Sequence, residues 1–145
     1  MNRYSTVYAY VLAYCFVTVG FVYGLRGPYW ITGEKPLVDL YYRTNYSTNL
    51  ILDFFLVAVY MAIGIAIGHR LKWDQVFWKQ LLIIVLTTIV ISGGVCYYFL
   101  SKPLTQTNFF SRWFHRVGYH AVIYDVVLLG ITYCVYYYLL DRFNP

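Results

Sequence analysis

Long apolar runs, separated by short polar connections, follow one another along this chain. Each run is close to the ~20 residues that an α-helix, rising 1.5 Å per residue, needs to cross the hydrocarbon core of a bilayer. Membrane-spanning strands would alternate apolar and polar residues, and these runs do not alternate. The pattern predicts an all-α membrane protein with four transmembrane helices, at Tyr4–Leu25, Thr48–Gly68, Gln80–Leu100 and Tyr119–Leu140.

Composition supports the same class of protein. The chain is 61% hydrophobic and only 12% charged, whereas soluble domains average about 25% charged residues. The longest connection, residues 26–47, is too short to bury a soluble core of its own. We therefore expect residues 1–145 to form one four-helix transmembrane domain with short loops.

A short amphipathic pattern precedes the fourth run, at residues 108–118. Phe110, Trp113 and Phe114 recur at helical spacing, Asn108 is a suitable N-cap, and Gly118 can end the helix. This predicts an interfacial helix that either packs on its own bundle or docks another protein. The segment LKWDQVFWK repeats the theme more briefly. The candidate interfacial anchors are Phe110, Trp113, Phe114, Trp73 and Phe77.

Basic residues flank the predicted spans on both sides of the membrane. Arg3, Arg70, Lys72, Lys79 and Arg142 lie on one side, and Arg26, Lys35, Arg43, Lys102, Arg112 and Arg116 lie on the other. This balance does not fix the orientation. The net charge of +5 is thus spread over both faces, which favours contact with anionic headgroups over a nucleic-acid-binding patch.

Two aspartates, Asp53 and Asp125, lie inside the second and fourth spans. These spans run in the same direction, so both side chains are expected about 8–9 Å inside the same leaflet. A carboxylate near the membrane centre costs roughly 2.5–3.5 kcal/mol, so each should face the bundle or a partner. Basic residues approach from the same side. The candidate ion-pair partners are Arg43, Arg112, Arg116, His115 and His120.

The two acids admit two interpretations. In the first, they fasten the second and fourth helices to loop arginines or to tyrosine hydroxyls and so fix the fold. In the second, they mark a proton or cation path, as intramembrane acids often do. We favour the first, because no further acid lies along a route to the far leaflet and any conduit would depend on Thr87, Thr88 and Ser92.

Small residues at fourfold spacing predict close helix packing. They form the pairs Gly20-x-x-x-Gly24 in the first span and Gly64-x-x-x-Gly68 in the second. Such a pair forms a seam, a line of close contact between two helices, either within one chain or between copies in a homo-oligomer. Packing within one chain is the better hypothesis, because a four-helix bundle already needs several seams.

Catalytic and cofactor signatures are absent from the sequence. His69 is expected on the opposite side of the bilayer from His115 and His120, which excludes a haem held by two histidines of one chain. The three cysteines lie in separate spans and form no C-x-x-C pair. No nucleophile elbow, P-loop or dinucleotide-binding pattern occurs. We therefore predict no enzymatic activity, no cofactor and no metal site.

The segment from Phe109 to Leu139, with NLILDFFLVAVYMAIG, resembles small multi-pass membrane proteins of nucleocytoplasmic large DNA viruses, the phycodnaviruses especially. The positions matching that family's motif are Trp113, Phe114, Gly118, Ala121, Val122, Ile123 and Asp125. The resemblance implies residence in the lipid membrane beneath an icosahedral capsid, and a role in linking that membrane to capsid proteins or in shaping it. It implies no catalytic residues.

Taken together, these features predict a structural or assembly protein of a viral inner membrane. Its expected partners are the lipid bilayer, anionic headgroups and other membrane or capsid proteins, which its basic, aromatic loops would contact. The alternative is a small oligomeric channel or transporter that uses Asp53 and Asp125.

Overall fold

The computed structural model describes residues 3–143 of the chain. The ends of the predicted 1–145 domain, residues 1–2 and 144–145, lie outside the described residues. Within the described range the protein is all-α, without a strand, and four of its helices are long and apolar enough to cross a membrane. The predicted fold class is confirmed, and the layout is that of a multi-pass membrane protein.

The described residues form seven α-helices, two of which end in a π-helical segment. In chain order these are α1 (Arg3–Val17, followed by the π-helical segment Thr18–Gly24), α2 (Gly27–Thr32), α3 (Lys35–Asp39, followed by the π-helical segment Leu40–Thr44), α4 (Tyr46–Arg70), α5 (Phe77–Leu100), α6 (Phe109–Val117) and α7 (Tyr119–Phe143). The boundaries of the four long apolar helices agree with the predicted spans to within three residues. The predicted interfacial helix corresponds to α6.

Helix α7 is the centre of the bundle, because α1 and α5 both pack along it. Ala9 and Ala13 are fully buried, and their small side chains allow α1 to approach closely. Two tyrosines join α1 to α4. Tyr14 donates a 2.7 Å hydrogen bond from its hydroxyl to the carbonyl of Leu50, and Tyr10 donates one to the carbonyl of Phe54. These bonds supply the partners that a hydroxyl needs inside a membrane.

Helices α4 and α5 are in close contact at the end far from the α1–α4 tyrosines. A Cβ atom on Gly64 would lie 2.8 Å from Cγ1 of Ile84, and one on Gly68 would lie 1.7 Å from Oε1 of Gln80. Gln80 is almost fully buried, and its Nε2 donates a 3.0 Å hydrogen bond to the carbonyl of Gly64. Gly64 and Gly68 thus form a seam within the monomer.

The first glycine pair makes no comparable seam. Gly20 and Gly24 lie in the π-helical segment that follows α1, and a Cβ atom on Gly20 would have no neighbour within 4 Å. The nearest atom to a Cβ on Gly24 would be the carbonyl oxygen of Val19, at 3.2 Å in the same segment. Helix α1 uses Ala9 and Ala13 for its close approach instead.

The connections on one side of the bundle are ordered, and we call residues 25–45 and 101–118 the loop face. It contains α2, α3 and α6. The Oδ1 atom of Asn108 accepts a 3.1 Å hydrogen bond from the backbone N–H of Ser111, which caps α6 as predicted. Gly118 ends the helix with a positive φ of 58°, a conformation that glycine adopts without strain.

The apolar face of α6 packs on its own bundle. Trp113 and Phe114 are only 8% and 5% exposed, and Phe114 stacks on Phe99 of α5 with ring centroids 5.5 Å apart. Phe110 is half-buried and contacts the same ring at 6.5 Å. These three side chains are predicted interfacial anchors, and of the two alternatives for this helix the structure shows the one in which it packs on its own bundle.

The connection between α4 and α5, on the opposite side, forms a turn. Phe77 begins α5, is partly buried and stacks on Tyr133 of α7 with ring centroids 5.8 Å apart. Trp73 keeps 37% of its surface exposed, and the Lys79 ammonium lies 5.6 Å from its ring. In the same turn His69 hydrogen-bonds Asp74, which lowers the pKa of Asp74.

We predict that Gly64→Ala destabilises the bundle, because the added methyl group would force Ile84 and the α5 backbone away from α4. The expected loss in the free energy of unfolding is about 1–2 kcal/mol, after the better helix propensity of alanine is subtracted. Gly130→Ala is the matched control, because a Cβ atom there meets nothing within 4 Å. Unfolding in detergent, titrated with sodium dodecyl sulfate and followed by circular dichroism, measures both. Equal stabilities would contradict the seam.

Candidate functional site

Asp53 of α4 is held by two consecutive tyrosines of the loop face. The hydroxyl of Tyr41 donates to Oδ1 at 2.5 Å, and the hydroxyl of Tyr42 donates to Oδ2 at 3.0 Å. Both tyrosines belong to the π-helical segment Leu40–Thr44, a type of turn that occurs frequently at functional sites. Each carboxyl oxygen therefore has its own neutral donor.

The network continues into α7 through a second hydroxyl. The oxygen of Tyr42 lies 2.6 Å from the hydroxyl oxygen of Tyr124. A phenol hydroxyl can donate one hydrogen bond, and Tyr42 donates its hydrogen bond to Asp53. Tyr124 is therefore the donor in the Tyr42–Tyr124 pair. The result is a directed series of hydrogen bonds from Tyr124 through Tyr42 to Asp53, which joins α7, the loop face and α4.

Burial keeps the two loop tyrosines protonated. Tyr41 and Tyr42 are 7% and 4% exposed. Loss of solvation, followed by the negative charge of Asp53, raises the pKa of both phenols well above the ordinary value. Both hydroxyls consequently remain hydrogen-bond donors over the physiological pH range.

Asp125 of α7 is bound differently. Its Oδ2 accepts a hydrogen bond from the hydroxyl of Ser92, which joins α7 to α5. Among the described residues, Ser92 is the only hydrogen-bonding partner of this carboxyl group. Within the described residues, Oδ1 of Asp125 therefore has no donor, whereas each oxygen of Asp53 has one.

Both aspartates line one cavity of about 310 Å³ between α4 and α5. Residues of α7 also line the cavity. On the side of the loop face, α6 and the tyrosines Tyr41 and Tyr42 close it. A smaller cavity of about 60 Å³ continues beside it and ends against Val57, Leu128 and Leu129. The larger cavity is lined by Tyr41, Tyr42, Leu52, Asp53, Leu56, Tyr60, Ser92, Val95, Phe99, Phe109, Phe110, Trp113, Phe114, Tyr124 and Asp125.

The basic residues proposed as partners of the aspartates lie elsewhere, which corrects that expectation. Arg43 pairs with Asp39 at 3.4 Å, and Arg116 is exposed. Nε of Arg112 is buried without a hydrogen-bond partner in the described part of the chain.

His115 of the loop face and His120 of α7 contact residues of their own segments. The ring nitrogens of His115 lie 2.8 Å from the carbonyl oxygen of Ser111 and 3.1 Å from that of Lys102, and His120 stacks on Tyr119. A physical reason accounts for the difference from expectation. Bringing a guanidinium group into the hydrocarbon region requires its desolvation, whereas a phenol reaches the carboxylate with its apolar ring already suited to that region.

Sequence reasoning had allowed tyrosine hydroxyls as partners but did not identify Tyr41, Tyr42 or Ser92 in that role. The adjacent pair in LYYRT was available as a signal, because two phenols stand in the connection that leads into the span containing Asp53. Nothing in the sequence shows that both rings turn toward the same carboxylate, since that depends on the π-helical segment. Ser92 is predicted as a conduit or helix-packing residue, and not as a donor to Asp125.

Within residues 3–143, no group of three His, Cys, Asp or Glu side chains is placed to hold a metal ion. Comparisons with protein-family models, with curated proteins and with solved structures gave no match for this chain. Function must therefore be argued from the chemistry of the site and of the loop face.

We predict that Tyr42→Phe destabilises the protein by about 1–3 kcal/mol, because the change leaves the Tyr124 hydroxyl without an acceptor and one oxygen of Asp53 without a donor. The measurement is the free energy of unfolding in detergent. Tyr97→Phe is the matched control, since Tyr97 is 76% exposed and its loss should change stability by less than about 0.5 kcal/mol. Equal effects of the two substitutions would contradict the network.

Proposed function

We propose that this chain is a structural membrane protein that presents an ordered, basic and aromatic loop face to an acidic surface. The observation that carries the proposal is the way Asp53 is satisfied. Because phenol hydroxyls bind this carboxylate, no loop cation is consumed inside the membrane. Arg26, Lys35 and Arg116 of the loop face stay exposed, where they can bind.

The charge of the loop face supports this role. It carries six basic residues against two acidic ones, Glu34 and Asp39. Arg26, Lys35 and Arg116 are exposed, and none of them takes part in an ion pair in the described part of the structure. An exposed basic group near a membrane surface contributes about 1 kcal/mol toward binding an anionic lipid.

A hollow on the loop face adds aromatic contact area to the charge. It encloses about 540 Å³ and is lined by Arg26, Tyr29, Trp30, Gly33, Lys35 and Arg43. Trp30 is 83% exposed beside it. Tryptophan and tyrosine favour the headgroup region, where an apolar ring and a polar edge are both satisfied. The hollow suits phosphate or carboxylate groups.

The resemblance to viral membrane proteins gives this proposal a more specific form. We infer that the acidic surface belongs to minor capsid proteins as well as to headgroups, and that the chain links a viral inner membrane to its shell. The ordered loops favour a linking role, because a rigid face loses less conformational entropy on binding than flexible loops do.

An oligomeric channel or transporter is the alternative function, and one observation favours it: both intramembrane acids share a cavity. Packing opposes a route through one chain. The smaller cavity ends at Val57, Leu128 and Leu129. The hydroxyls of Thr88 and Thr132 are bonded to carbonyls of their own helices. We therefore rank the structural role first.

We predict that neutralising the loop face removes anionic lipid from the purified protein. The variant combines Arg26→Gln, Lys35→Gln and Arg116→Gln, and its affinity for phosphatidylglycerol should fall roughly 100-fold if each charge contributes about 1 kcal/mol. Native mass spectrometry of protein released from mixed bilayers counts the lipids retained.

The matched control removes three charges from the opposite side, through Arg70→Gln, Lys72→Gln and Lys79→Gln. It should retain most of the bound phosphatidylglycerol. Equal losses in the two variants would show that net charge alone attracts the lipid, and the loop face would then have no special role.

A separate prediction addresses the viral setting. In particles that contain this chain, an amine-reactive cross-linker should join Lys35 and Lys102 of the loop face to shell proteins. Lys72 and Lys79 lie on the opposite side and serve as internal controls. Cross-links to the shell from the control lysines alone, identified by mass spectrometry of digested particles, would reverse the proposed orientation.

A further inference from the structure

The 310 Å³ cavity has an apolar edge that is partly exposed. Leu52 and Leu56 of α4 and Val95 of α5 line it, and all three are 37–40% exposed. These exposed residues mark an opening between α4 and α5, which we call the mouth of the cavity. The two helices are in close contact only further along, at Gly64 and Gly68, so a ligand dissolved in the bilayer has a lateral entrance.

The cavity is acidic and contains no basic group. Asp53 and Asp125 are its charged lining residues, and the described lining includes no Lys, Arg or His side chain. Asp53 has a donor on each oxygen. Asp125 has Ser92 as its one donor among the described residues, so its second oxygen is open to a donor from a ligand. Ionisable groups inside a membrane commonly pair with a group of opposite charge.

The rest of the wall is aromatic. Five rings, one from α5 and four from α6, line the cavity on the side of the loop face: Phe99, Phe109, Phe110, Trp113 and Phe114. Aromatic faces attract cations, and they also cover an apolar chain. The volume is about twice that of the engineered 150 Å³ cavity that holds benzene, and it lies at the lower end of the range for small-molecule sites.

We propose that this cavity binds a protonated amine carried on a single apolar chain, which enters from the bilayer between α4 and α5. The ammonium group donates to Asp125 and lies near Asp53, while the chain lies along the aromatic wall and leaves through the mouth. A fatty acid is disfavoured by repulsion from both carboxyl groups. A phospholipid would bring a phosphate group into the same acidic space.

The experiment uses Trp113 as a reporter, because its ring lines the cavity. The chain has four tryptophans, and the other three, Trp30, Trp73 and Trp78, are exposed and can be replaced by Phe. The single-tryptophan protein is reconstituted into phosphatidylcholine nanodiscs and titrated with an undecylamine that carries a bromine a few carbons from the nitrogen, so that the bromine stays inside the cavity and quenches tryptophan on contact. The same chain ending in a hydroxyl group is the reference ligand.

The amine should quench Trp113 saturably, and the alcohol should need at least about tenfold more ligand, because it lacks the charge-assisted hydrogen bond. Asp125→Asn should weaken amine binding by about tenfold for the same reason. Asp141→Asn, which removes an exposed acid outside the cavity, is the matched control and should leave the affinity unchanged.

Val95→Phe is a second test, because it keeps both aspartates and narrows the mouth of the cavity. It should lower the affinity of the protein for the amine, and it tests the proposal even if Asp125→Asn does not fold. Equal affinities for amine and alcohol, unchanged affinity in a folded Asp125→Asn protein, or unchanged affinity in Val95→Phe would each overturn the assignment. Such results would mean that the amine only partitions into the surrounding lipid.

Discussion

The structure depends on which groups donate hydrogen bonds to the Asp53 carboxylate inside the membrane. Asp53 receives one hydrogen bond on each oxygen, from Tyr41 and Tyr42, and Tyr124 supports the second of these. Neutral donors with apolar rings can enter the hydrocarbon region at less desolvation cost than a guanidinium group. This choice of partner draws the segment after α3 onto α4, and it leaves the loop cations at the surface.

The ordered loop face and the cavity are two consequences of the same interaction. The tyrosines form part of the cavity wall, and α6 completes it with rings that include the predicted interfacial anchors. An amphipathic helix that covers its own bundle exposes only its polar side. The loop face can therefore act on an acidic surface while the aromatic side of α6 is used internally.

The four spans could be predicted from the sequence because the length of an apolar run directly sets whether a helix crosses the bilayer. The ends of α6 followed from Asn108 and Gly118, which act locally. The partners of the aspartates could not be derived, because they depend on side chains distant in sequence and on a π-helical segment without a sequence signature. Likewise, Gly64 and Gly20 share one spacing pattern, yet only Gly64 meets a neighbouring helix.

The most direct test of the account is a double-mutant cycle between Tyr42→Phe and Asp53→Asn, measured as free energies of unfolding in detergent at low and high salt. The account predicts a coupling energy of about 1 kcal/mol or more that changes little with salt, because a neutral donor holds a buried acceptor. Zero coupling, or a salt-sensitive coupling found for Arg43→Gln with Asp53→Asn instead, would contradict it.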